Sequence, residues 1–129
     1  MSEPVWVLRD VVLAIQEQLL AEFGGAAGIR DEGLLDSALS RPENRYAYEQ
    51  AGIFELAAAY AFGLVRNHPF IDGNKRIGFT VAILFLELNG WRFSANEADA
   101  VVKTLALAAS VMDEVEYADW LKAYSNSVA

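Results

Sequence analysis

Apolar positions recur at intervals of three and four along much of the chain, the spacing of helices that bury one face. From Arg9 to Phe23, the residues Val12, Ile15, Leu19 and Phe23 mark such a face, and Gly24-Gly25 ends it. Asp31 stands where it can cap a second helix carrying Leu34, Leu35, Ala38 and Leu39. Arg41-Pro42 predicts the end of that helix, because the residue before proline avoids helical geometry. Residues 41–52 are polar and aromatic and read as a surface loop.

Two segments lack a polar face. One runs from about Ile53 to Asn67 and the other from about Asn74 to Asn89, where Asn89-Gly90 ends it. Helices that are apolar nearly all round are central and buried. Ser94-Ala95-Asn96-Glu97 has the spacing of a capping box and predicts a fifth helix to about Ala109. A sixth, near Tyr117–Tyr124, places Tyr117, Trp120, Leu121 and Tyr124 on one side. Val5-Trp6-Val7 and Trp91-Arg92-Phe93 alternate briefly, as short extended pieces do. The expected fold is all-α: a compact bundle of about six helices around two hydrophobic ones, with residues 1–129 as a single domain.

Composition narrows the function classes. The chain has 129 residues, of which 54% are hydrophobic, which excludes a disordered chain. Ten Lys and Arg against eighteen Asp and Glu give a net charge of −8. Such a protein repels phosphate backbones and anionic membranes at long range, so neither is an expected partner. The absence of cysteine removes disulfides, thiolate nucleophiles and Cys-type zinc sites. Met1-Ser2-Glu3-Pro4 does not open a signal peptide, and Ile53–Val65 and Ile77–Leu86 are too short to span a bilayer. A cytoplasmic protein is the expectation.

The connection between the two apolar helices carries the candidate chemistry: His68-Pro69-Phe70-Ile71-Asp72-Gly73, then Asn74-Lys75-Arg76. His68 is the single histidine, and Pro69 places it on a constrained turn at a helix end. It can be a hydrogen-bonded structural residue or a general base. Asp72-Gly73 is a strong turn dipeptide, and Asp72 can shape that turn or bind a hard cation such as Mg²⁺. Asn74 is a good N-cap. Lys75 and Arg76 then occupy a first turn where the helix dipole prefers acids. Either both reach into solvent, or an anion at the helix start compensates them. Residues 56–86 hold Arg66, Lys75 and Arg76 against Asp72, a net +2, which leaves −10 on the rest. A small positive island suits a nucleotide's phosphates better than a polymer. Base, carboxylate and cationic helix start together are parts that phosphoryl or nucleotidyl transfer requires.

The stretch from His68 to Arg76 resembles the signature loop of the Fic/Doc family, specifically its death-on-curing (Doc) branch. Gly24-Gly25, Gly28-Ile29-Arg30-Asp31 and Leu34 resemble the family's N-terminal region, and Arg45-Tyr46-Ala47-Tyr48-Glu49 resembles the end of its flap. The resemblance runs from roughly Val11 to Tyr124. It implies a helical bundle that transfers part of a nucleoside triphosphate, ATP with Mg²⁺, to a protein hydroxyl. On it, His68 is the catalytic base, and Asp72 binds Mg²⁺ or supports the proton transfer. Gly73, Asn74, Lys75 and Arg76 form the phosphate cradle, and Phe70 is a packing anchor. Residues 41–52 become a flap that docks the target, with Arg45 and Tyr46 as contacts.

Two departures separate the branches. Adenylyl-transferring members have glycine at the position of Lys75 and a second arginine at that of Phe79. The Asn-Lys-Arg form resembles Doc proteins, which transfer the terminal phosphate as kinases do. By that resemblance the target is translation elongation factor Tu, translation is blocked, and a cognate antitoxin is the partner. A basic antitoxin segment can use the acidic surface for docking. Adenylyl transfer and an inactive antitoxin-binding module are the alternatives. Ser110-Val111-Met112-Asp113-Glu114 partly matches the family's self-inhibitory helix but reads better as the connection between the fifth and sixth helices.

Overall fold

Six helices and a two-stranded sheet make up residues 3–128, the part described by the computed structural model. Their order is α1 (Arg9–Phe23), α2 (Glu32–Glu49), α3 (Ile53–Asn67), α4 (Asn74–Leu88), β1 (Trp91–Phe93), α5 (Glu97–Ala108), α6 (Glu114–Ala123) and β2 (Ser125–Ser127). The fold is all-α as expected, with one small antiparallel ribbon in which Trp91 faces Ser127 and Phe93 faces Ser125. Met1 and Ser2, which belong to the expectation about the N-terminus, and Ala129 lie outside the described residues. No helix among the described residues is long and apolar enough to cross a membrane.

The core forms around α3 and α4. Leu56, Ala57, Ala58, Tyr60, Ala61 and Leu64 of α3 are buried against Ile77, Val81, Ala82, Phe85 and Leu86 of α4. Small residues set how closely the helices approach. A Cβ on Gly78 would lie 2.7 Å from Val65 Cγ2, and one on Gly63 would lie 3.0 Å from Ala38 Cα on α2. Only glycine lets α3 touch both neighbours at these points without displacing them. Tyr60 reaches out of this core, and its hydroxyl accepts the Val7 N–H at 3.0 Å. Its phenol is pushed up to about 12, chiefly by burial. Burial likewise raises Tyr117 to about 12, although its hydrogen bond with Thr104 works the other way.

Three expectations require correction here. Residues 41–52 are not a loop: α2 continues through Pro42 to Glu49. Proline removes a single N–H donor, and the helix beyond it is held by ion pairs. Arg41 and Arg45 both bind Glu114 on α6, and Arg45 also reaches Glu49 at 2.8 Å and Glu55 at 3.3 Å. Burial lowers the Arg45 pKa, but Glu49 and Glu114 outweigh that and raise it above its ordinary value.

Second, the fifth helix is capped by Asn96, which accepts the Asp99 N–H at 2.7 Å, and not by Ser94. The Ser94 N–H donates to the Tyr124 carbonyl at 2.9 Å, so this residue prolongs the ribbon instead. Third, α6 begins at Glu114, before Tyr117, because Asp113 and Glu116 form a reciprocal capping box. Val5-Trp6-Val7, expected as a short extended piece, belongs to no helix or strand, and Asn89 clasps Val5 through both its N–H (2.8 Å) and carbonyl (2.9 Å). Ser110–Asp113 does connect α5 and α6.

Candidate functional site

The site is built where α3 stops and α4 starts. His68 closes α3 with φ 49° and ψ 53°, a left-handed conformation. For a residue with a side chain this costs roughly 1–2 kcal/mol, so neighbouring contacts must hold it there. Arg30 supplies them: its Nε donates to the His68 carbonyl at 2.7 Å and its Nη2 to the Asn67 carbonyl at 2.9 Å. A guanidinium at the C-terminal end of a helix also opposes the dipole favourably. The imidazole itself is left exposed.

The segment 25–31 is stitched to the loop. The Pro69 carbonyl accepts the N–H groups of Arg30 (2.7 Å) and Asp31 (3.1 Å), and the Ile71 N–H donates to the Gly28 carbonyl (3.1 Å). Ile29 and Phe70 form an antiparallel bridge there. Gln16, buried on α1, donates to the same Gly28 carbonyl at 3.2 Å. Asp31 caps α2 as expected, accepting the Leu34 N–H at 2.9 Å. Phe70 is buried, which fits a packing anchor.

Asn74 departs from its expected place. Gly73, left-handed at φ 79°, is the N-cap of α4, and Asn74 is the first helical residue. Its buried carboxamide accepts the Phe70 N–H and donates to the Phe70 carbonyl, both at 3.0 Å. Its Nδ2 also lies 3.4 Å from His68 Nδ1. The side chain therefore shapes the loop and steadies the imidazole, which leaves its backbone N–H for any ligand.

Asp72 turns its carboxylate toward the loop before α2. Its Oδ1 accepts the Gly73 N–H at 2.9 Å, and its Oδ2 lies 3.4 Å from the Ala26 N–H. A Cβ on Gly25 would sit 2.9 Å from that Oδ2, so glycine is required for this approach. Beyond Gly73, α4 opens with no side-chain cap and no acid in its first turn. Lys75 and Arg76 are exposed there, and the Arg76 guanidinium lies over the Phe23 ring, 4.4 Å from its centroid. Free first-turn N–H groups and two cations form an anion-binding end.

The structure thus brings His68, Asp72, Gly73, Asn74, Lys75 and Arg76 to one end of the bundle. It engages Arg45 and Tyr46 elsewhere. Arg45 lies in the ion-pair network of α2 and α6, and the half-buried Tyr46 packs edge-on against Trp6, with centroids 5.8 Å apart. Phe79 is half-buried against Phe93 (5.9 Å) and Trp120 (6.4 Å), an apolar setting.

The sequence matches the family model described as the Fic/DOC family over residues 6–86, which includes the whole loop. The chain belongs to the Fic/DOC family. It is also 41% identical over 78 residues to "Toxin Doc" of Mycolicibacterium smegmatis (strain ATCC 700084 / mc(2)155). That alignment covers 57% of this chain and spans 58% of the relative's length.

Reading residues by type alone, without the Fic/DOC resemblance, misses Arg30, Gln16 and Phe23. The signal for Arg30 was its place beside the Asp31 cap; Gln16 and Phe23 lie on a helical face without any motif. The site also bears on the expected Mg²⁺. The described residues hold no group of three or more His, Asp or Glu able to cage a metal. One exposed carboxylate, Asp72, fits an ion that arrives with nucleotide phosphates and keeps water ligands.

Proposed function

We propose that this Fic/DOC chain is a Doc-like toxin acting as a protein kinase: it transfers the terminal phosphate of ATP to a hydroxyl of a target protein. The observation that carries this reading is His68, held left-handed with its imidazole exposed, in the same loop as the uncapped cationic start of α4. His68 takes the proton of a Ser, Thr or Tyr hydroxyl. That oxygen attacks the γ-phosphorus, the bond to the bridging oxygen breaks, and ADP leaves. The first-turn N–H groups, Lys75 and Arg76 receive the phosphates, and Gly73 lets them approach the backbone. Asp72 would hold Mg²⁺, whose role when bound is to offset phosphate charge.

Kinase transfer is favoured over adenylyl transfer by Lys75 and Phe79. Lysine fills the space a glycine would leave, and Phe79 is committed to packing beside Phe93 and Trp120. By the same resemblance the target is a translation factor, elongation factor Tu, so that translation is inhibited. Target docking belongs to the C-terminal end of α2. Arg45 and Tyr46 stiffen that end, while Tyr48 stands exposed on it.

We place the cognate antitoxin in the apolar groove of about 530 Å³ lined by Ile15, Phe79, Ile83, Leu84 and Phe93. Glu87 and Glu97 on its lining would pair with basic residues of the antitoxin segment.

The test is a pair of lysate incubations with ATP labelled at the γ- or the α-phosphate. Label retained on a protein from the γ-position alone supports kinase transfer. Label from the α-position moves the reading to adenylyl transfer, and no label from either leaves a binding module.

A further inference from the structure

Arg76 makes no ion pair among the described residues; its guanidinium lies over the face of Phe23. Phe23 is the last residue of α1 and is 53% exposed, so its ring face is open to a neighbouring cation. The last turn of α1 contains no basic residue, so Arg76 is the cation that meets this helix end. The end of α1 is itself tied to the signature loop, through Gln16 to the Gly28 carbonyl and through Asp72 to Gly25 and Ala26. Phe23 therefore belongs to the same rigid frame as His68.

Stacking has a particular consequence for a guanidinium. Its five N–H donors lie in its plane, so an aromatic face can hold the cation while the donors stay free for phosphate oxygens. A carboxylate partner would occupy those donors and compete with the ligand. We propose that Phe23 is a positioning residue that holds Arg76 ready for the nucleotide's phosphates. This rests on the phosphate-binding reading of α4. Phe23 does not touch the reacting atoms; it acts through Arg76.

Calorimetric titration of ATP with Mg²⁺ into wild type, Phe23→Leu, Phe23→Tyr, Arg76→Ala and the Phe23→Leu/Arg76→Ala double variant tests it. Loss of an exposed cation–π contact weakens affinity about two- to fivefold, so Phe23→Leu is expected to bind that much more weakly. Phe23→Tyr, which keeps the ring face, is expected to bind like wild type. In the Arg76→Ala background, Phe23→Leu is expected to have no further effect. Phe23→Leu binding at wild-type strength, or weakening both backgrounds equally, would overturn the positioning role while leaving the nucleotide site standing. A wild type that binds no ATP would instead remove the nucleotide reading and this proposal with it. Thermal melts of each variant show that it is folded; if Phe23→Leu is not, Phe23→Met, which also lacks the ring face, takes its place with the same outcomes.

Discussion

The carboxamide of Asn74 closes on the backbone of Phe70, taking its N–H and giving to its carbonyl, each at 3.0 Å. This pair of hydrogen bonds turns the six residues between α3 and α4 into a fixed frame. Asn74→Ala leaves the buried Phe70 N–H and carbonyl unpaired, a loss of about 1–3 kcal/mol. Asn74→Asp keeps the acceptor but sets a carboxylate oxygen against the Phe70 carbonyl, so it should be at least as damaging. Urea unfolding of the three proteins measures both.

Strain at His68 can be read separately from its chemistry. Its left-handed backbone is easy for glycine and costly for alanine. His68→Gly should therefore be more stable than His68→Ala, by about 1 kcal/mol, although neither has an imidazole. Equal stabilities in paired denaturation curves would show that no such strain is held there.

Arg30 holds the carbonyls of Asn67 and His68 with two donors of one planar group. Because the contact is exposed, Arg30→Ala is expected to cost about 1 kcal/mol. Arg30→Lys should recover only part, since an ammonium lacks the fork that spans two carbonyls. Hydrogen exchange at Arg30, Asp31 and Ile71, whose N–H groups join the two segments, should quicken in both variants.

Tyr60 and Tyr117 give the fold an alkaline limit. Burial raises both phenols to about 12, so each stays protonated in the folded chain well after it would ionise unfolded. Between the unfolded value near 10 and about 12, the folded state binds more protons than the unfolded state. Stability contributed by the two phenols is complete below pH 10 and is lost as pH rises toward 12, at about 1.4 kcal/mol per pH unit for each. Denaturation midpoints at rising pH should fall in this window, less steeply in Tyr60→Phe. That variant also frees the Val7 N–H, so its midpoint at neutral pH should already be lower.

Much of this architecture was legible in the sequence. The all-α class, the two buried helices and the Gly24-Gly25 stop follow from local spacing, and the structure bears them out. The signature loop was legible because it combines a proline turn, a glycine turn and misplaced cations within a few residues. What failed were local rules overruled from a distance. Pro42 predicted a helix end, but Glu114, far along the chain, binds Arg41 and Arg45 and holds the helix together. Ser94 looked like a cap, but the Tyr124 carbonyl claims its N–H. Asn74 looked like a cap too, and its side chain was drawn inward by Phe70. The roles of Arg30 and Phe23 depend wholly on tertiary contacts, which no helical periodicity reveals.

The most direct measurement is phosphate transfer from γ-labelled ATP to lysate protein by wild type and His68→Ala, with ATP affinity measured on both. If His68 is the base beside an independent phosphate site, wild type labels a protein, His68→Ala labels none, and both bind ATP with similar affinity. Undiminished labelling by His68→Ala would contradict the account.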